Sequence, residues 1–130
     1  MNREILFRGK KSNGRWVYGS LVVSENIAPA IYYNVSKGVA DVLDWCYVNP
    51  DTIGQYTGLK DKNGKKIFEG DIVTGQNCRF VVKYDERQAE FVAVNSTLPN
   101  GFGLPMSQTW INETNKIICG NIHDNLELIK

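Results

Sequence analysis

Apolar and polar positions alternate in short runs along this chain. The period is near two, the mark of strands, and not the 3.6 of helices. Ile5-Leu6-Phe7 opens the pattern, and residues 16–23 continue it beyond Lys10-Lys11-Ser12-Asn13-Gly14. Two apolar runs split by Asn-Gly predict a hairpin, here through a type I′ turn, because Asn and Gly accept positive φ. Residues 31–33 and 39–48 predict a second pair, joined across residues 34–38. In its later arm Val39, Asp41, Leu43, Trp45 and Tyr47 share one face. Asn49-Pro50-Asp51 breaks the pattern, and Asp51 or Thr52 is placed to cap one helical turn.

The second half repeats the theme. Residues 55–59 lead into a Lys-rich turn over 60–66 with another Asn-Gly, Asn63-Gly64, and then into residues 67–73. Residues 79–84 and 89–94 predict a hairpin around 85–88. Residues 95–107 are rich in Asn, Ser, Thr, Pro and Gly and show no periodicity, so a long surface loop is expected there. Residues 116–122 predict the last strand, and residues 124–129 a closing helical turn with Asp124 as its cap.

Short strands with turn signals roughly every 8–12 residues predict an all-β fold. The expected architecture is a single compact barrel or two packed sheets. Residues 67–94 would form an SH3-like element, and the short helical turn would close the C-terminus. At 130 residues the chain suits a single domain, 1–130, with 1–53 and 54–130 as possible subdomains.

Composition narrows the function classes. The chain is 42% apolar and 22% charged, which argues against general disorder. A net charge of +1 excludes a polybasic nucleic-acid sponge and an acidic tail protein. The charge is uneven: residues 1–83 carry a net +4 and residues 84–130 a net −3. That asymmetry favours an anionic partner or a head-to-tail homo-oligomer. The first residues lack a signal-peptide pattern, no window is apolar enough to span a membrane, and the three Cys are scattered. A cytoplasmic protein without membrane attachment or disulfides is expected.

Three segments together resemble the YopX family of small phage and prophage proteins. Arg3-Glu4-Ile5-Leu6-Phe7-Arg8 resembles its opening strand. The block from Gly54 to Val73, with Gln55-Tyr56-Thr57-Gly58-Leu59-Lys60-Asp61 and Glu69-Gly70-Asp71-Ile72-Val73, resembles its most recognisable segment. Gly120-Asn121-Ile122 followed by Asn125-Leu126-Glu127-Leu128 resembles its ending. Lys66, His123 and Leu126 depart from the usual residues. The resemblance implies a compact, mainly β protein of phage or prophage origin with an unestablished biochemical role, and it implies no reaction.

Catalytic and metal motifs fail on spacing. Gly58 to Lys66 has one residue too many for a phosphate loop and lacks its hydroxyl. Asp61-x-Asn63-Gly64 starts like a calcium loop, but its Gly falls at position 4 and Ile72 at position 12. One His and three separated Cys close no metal site, and Cys119 reads as a buried structural residue. Asp41 and Asp44 cannot share a strand face, and Glu69 and Asp71 flank a glycine turn. No catalytic residue, metal ligand or cofactor is expected.

Cations beside aromatics give the leading functional candidate. Arg8, Lys10, Lys11 and Arg15 crowd one turn, Lys60, Lys62, Lys65 and Lys66 another, and Trp16 and Tyr56 stand close by. Small β folds bind single strands by stacking bases on aromatics along a cationic groove. The alternative is a protein-interaction or self-assembly module. It would act on a host or phage protein through Leu98, Phe102, Leu104 and Met106 of the 95–107 loop and through Trp110.

Overall fold

The structure is a computed structural model that describes residues 3–38, 40–95 and 103–129. The chain divides into two compact units, Met1–Tyr56 and Thr57–Lys130.

The first unit contains β1 (Phe7–Lys10), β2 (Trp16–Ser24), β3 (Ile27–Lys37), β4 (Ala40–Tyr47), a 3-10 turn at Pro50–Thr52 and the start of β5 (Gly54–Lys60). The strands lie antiparallel in the order β4-β3-β2-β1-β5. Ile31 is fully buried, with Ala30 and Val48 close to it in burial. The end of β1 is pinned from the 3-10 turn. The Thr52 hydroxyl accepts from the Lys10 N–H at 2.8 Å and donates to the Asn49 carbonyl at 2.7 Å, while the Asn49 N–H donates to the Lys10 carbonyl. Asn49 caps this turn, not Asp51 or Thr52 as expected, by accepting from the Asp51 N–H at 3.0 Å. Pro50 explains the shift: proline favours the first helical position, so the residue before it becomes the cap.

The Asn-Gly hairpins also differ from expectation. Across Lys11 to Arg15, Gly14 N–H donates to the Lys11 carbonyl and Lys11 N–H to the Arg15 carbonyl, both at 2.9 Å. Only Gly14 is left-handed, with φ +84°. This is a three-residue loop, a type I turn closed by a glycine bulge, where a type I′ turn would need both residues at positive φ. Asp61 to Lys65 repeats it, with Gly64 at φ +85°. Among the described residues, the turn with two successive left-handed non-glycine residues is at Gln76-Asn77, φ 56° and 64°, where no Asn-Gly marks it.

The second unit contains the rest of β5, β6 (Lys66–Phe68), β7 (Asp71–Gly75), β8 (Cys78–Asp85), β9 (Glu90–Asn95), β10 (Gly103–Pro105), the helix α1 (Gln108–Glu113), β11 (Ile117–Asn121) and a 3-10 turn at Leu126–Ile129. β5 neighbours β6, and an antiparallel sheet runs β10-β9-β8-β7-β11. Ile67, Val73, Phe80, Val82, Ala93 and Ile111 form the core, with Leu59, Met106, Trp110 and Ile118 packed against it. The class is all-β with two antiparallel sheets, and among the described residues neither closes into a barrel.

The 95–107 stretch is not wholly a loop. β10 pairs with β9, Gly103 opposite Val94 and Pro105 opposite Val92. A Gly-Leu-Pro strand defies propensity, but Pro is tolerated on an edge strand. Ser107 then caps α1 by accepting from the Trp110 N–H at 3.0 Å. Ahead of the C-terminal 3-10 turn, the Asn121 Oδ1 accepts from the His123 and Asp124 N–H groups at 2.9 Å.

Gly70 shows how tightly this unit is tied. Its N–H donates to the Val82 carbonyl at 2.8 Å, its carbonyl accepts from Ile122 N–H at 2.9 Å, and its φ is +93°. Gly70→Ala is expected to lower stability by about 2 kcal/mol, since a Cβ at positive φ is strained. Urea unfolding checks it; an unchanged midpoint would refute the strain.

Candidate ligand-binding face

The register of the first unit sorts its side chains onto two faces. Arg8 lies opposite Tyr18 and Lys10 opposite Trp16. Ser20 lies opposite Tyr32, and Tyr32 opposite Trp45. Since alternate residues point the same way, Lys10, Trp16, Tyr18, Tyr32, Trp45 and Tyr47 share one face. Tyr18, Trp45 and Tyr47 are 47%, 45% and 51% exposed. Tyr32 and Trp45 stack with ring centroids 6.1 Å apart, and Tyr47 meets Trp45 edge-on at 5.0 Å. Aromatics and β-branched residues prefer such cross-strand positions, which holds these rings in place.

Cations gather at the other end of this face. The Arg8 guanidinium lies 4.6 Å from the centre of the Trp16 ring, and the Lys10 ammonium 5.7 Å. Arg8 shares this face but is buried, so it supports Trp16 and offers little contact to a passing ligand. Lys10 and Lys11 are half-buried and Arg15 is exposed at the hairpin tip. Tyr56 is buried as well, its N–H bonded to the Leu6 carbonyl at 2.8 Å, and so falls outside the exposed platform. Trp45 and Tyr47 carry a signal in the alternation through 43, 45 and 47, whereas Tyr32 joins them only through the register of β3 against β4.

The second basic turn belongs to the second unit. Lys60, Lys62 and Lys65 are exposed and Lys66 is half-buried. The turn is rigid. The buried Asp61 carboxylate accepts from the Asn63 and Lys65 N–H groups at 2.9 Å and from Ile118 N–H at 3.0 Å. The Gln108 side chain brackets Lys60, accepting from its N–H and donating to its carbonyl. The Lys62 ammonium donates to the Asn112 carbonyl at 3.3 Å, near the end of α1.

The residues weighed for protein contact divide. Leu98 and Phe102 lie outside the described residues. Leu104 is 45% exposed on β10, whereas Met106 and Trp110 pack against the core. Trp110 meets Phe80 edge-on, and the buried Lys116 places its ammonium 5.2 Å and 5.5 Å from those two rings while donating to the Gly75 carbonyl.

Among the described residues no three His, Cys, Asp or Glu side chains gather as a metal site would require. Cys119 is exposed, not buried as expected, because it sits on the edge strand β11 at a register shift. Its thiol donates to the Ile72 carbonyl at 3.5 Å, and partial burial holds its pKa above the ordinary value despite the lowering effect of Arg79. A neutral thiol is a poor nucleophile. Asp71 is buried and accepts from the Phe68 N–H at 2.7 Å, a turn-holding role. No helix among the described residues is long and apolar enough to cross a membrane.

The family model described as YopX protein matches residues 6–130. The crystal structure of protein EF1440 from Enterococcus faecalis is similar in fold, with a TM-score of 0.67 and 21% identity; the match covers 99% of this chain and 100% of that one. No curated protein matches.

Proposed function

We propose that this chain, which belongs to the YopX family, is a non-enzymatic accessory protein of phage or prophage origin that binds single-stranded nucleic acid in the cytoplasm. The observation that carries the reading is the row of exposed Tyr18, Trp45 and Tyr47 around half-buried Tyr32 on one sheet face, with Lys10 and Trp16 at its other end. Exposed rings are costly to leave in water unless something covers them, and every base has a π-face that stacks on them without regard to sequence. Lys10, Lys11 and Arg15 would meet the phosphates, and binding would weaken as salt rises and counterions are released.

The Lys60–Lys66 turn is a separate, testable contributor. Replacing Lys60, Lys62, Lys65 and Lys66 with Ser should leave the fold intact, since Asp61 and Gln108 bind backbone there. Affinity for a single-stranded oligonucleotide should fall and its salt dependence flatten. Unchanged affinity would remove this turn from the interface and leave the sheet face to be tested by its own variants.

A second reading has its own support. Val23, Ile27 and Leu43 are 69%, 59% and 70% exposed in the first unit, and Leu104 is exposed in the second. Aliphatics in water favour a protein partner or self-assembly. Salt-insensitive association of the protein with itself, measured by sedimentation, would favour it.

A further inference from the structure

The five-stranded sheet of the second unit has two covered faces, and only one is the core. Phe80 and Val82 of β8 point into the core, so Arg79, Val81 and Lys83 point the other way. On that far face Val81 pairs with Val94 and with Ile72, and Val81 and Ile72 are buried. What covers them is the C-terminal segment. The Arg79 guanidinium donates to the Leu128 carbonyl at 3.0 Å and fastens the 3-10 turn Leu126–Ile129 over the sheet. Between turn and sheet lies a half-open cavity of about 260 Å³. Val81 and Val94 line it from the sheet, Ile122, Leu126 and Ile129 from the C-terminal segment, and Lys83 and His123 are its polar lining residues.

We infer that this cavity is a binding site for a small apolar carboxylate, an aliphatic or aromatic acid of fragment size. Its volume lies below the roughly 300–1,000 Å³ of pockets that take drug-sized ligands, which excludes bulky molecules. Its aliphatic walls give water few hydrogen-bond partners, so an apolar tail displaces solvent that is poorly held. Lys83 is the one charged side chain among the lining residues, and its ammonium on a flexible stem selects an anionic head. His123 also lines the cavity, at the C-terminal side. The inference concerns the second unit alone and does not depend on the nucleic-acid reading.

The test titrates the full chain with octanoate, and in parallel with 1-octanol and octylamine, while methyl resonances of Val81, Val94 and Ile122 are followed by NMR. Octanoate is expected to give saturable shifts at these methyls, binding at least about tenfold more tightly than octanol, as one charge-assisted contact implies. Lys83→Gln, at an exposed position, should keep the fold and bring octanoate down to the octanol level. Leu126→Trp, which fills the cavity, should abolish the shifts of both. Absence of saturable shifts with octanoate would overturn the inference. Equal binding of octanoate and octanol, or tighter binding of octylamine, would overturn the assignment of an acid.

Discussion

Replacing Asp61 with Ala is expected to lower the unfolding free energy by about 3 kcal/mol, the cost of stripping a buried carboxylate from its donors. Asp61 is 5% exposed and accepts three backbone hydrogen bonds, two within its own turn and one from Ile118 on β11. Hydrogen bonds to an ionised acceptor are stronger than neutral ones, and the Ile118 N–H would be left half-buried without its acceptor. The same change loosens the hairpin tip from β11, to which it is otherwise tied through the Lys62 N–H and the Lys116 carbonyl. In a domain of this size the loss corresponds to a melting temperature lower by roughly 10 °C. Asp61→Asn should fall between the two, because one oxygen still serves the turn while an NH2 group faces a donor. Calorimetry on both variants checks the order. An Ala variant as stable as the parent would mean that Asp61 does not hold the turn.

The largest effect on binding is expected from Trp45→Ala combined with Tyr47→Ala. Each base stacked on an aromatic contributes roughly 1–3 kcal/mol by alanine substitution. Losing two platforms, about 2–6 kcal/mol together, should weaken affinity for a single-stranded oligonucleotide by roughly 30- to 20,000-fold. Both side chains are about half exposed on β4, which ends the order β4-β3-β2-β1, so the core of the first unit is untouched. Circular dichroism should be unchanged apart from the aromatic region. Trp45→Phe should retain most of the affinity, because a ring remains. A double variant that binds like the parent would take this face out of the interface.

Much of the fold was legible, and the misses have physical causes. Strand placement followed the alternation, and the hairpins around 11–15 and 61–65 were marked by Asn-Gly. Their turn type was not, because Gly14 and Gly64 alone take positive φ and each loop is one residue longer than a type I′ turn. β10 was hidden because Gly-Leu-Pro has no strand propensity and forms only by pairing with β9. α1 is six residues with Ile111 as its buried side chain, too short to show a helical period. Asp61 read as the start of a failed calcium loop. Its contact with Ile118, 57 positions away, is a tertiary fact that no local pattern contains.

The site was legible in kind and less so in detail. Trp16, Lys10, Lys11 and Arg15 fall on or beside one hairpin, as the sequence implies, but Arg8 and Tyr56 are buried. Their residue types gave no warning, since Arg and Tyr each bury well when an aromatic ring or a strand partner receives them. In the sequence, Trp45 and Tyr47 show only as part of an alternating strand. That they stay exposed beside Tyr32 follows from the register of β3 and β4. Met106 and Trp110 look like surface anchors in a Pro-Gly-rich stretch, yet the Ser107 cap folds them onto the core.

The proposed role rests on single-strand binding by the sheet face that carries Lys10, Trp16, Tyr18, Trp45 and Tyr47. Fluorescence anisotropy of a labelled single-stranded oligonucleotide with the unmodified protein, at about 50 mM and about 200 mM salt, tests it most directly. The expected result is saturable binding at the lower salt that weakens steeply at the higher. Absence of binding at the lower salt would contradict the account, and the exposed aromatics would then belong to a protein partner.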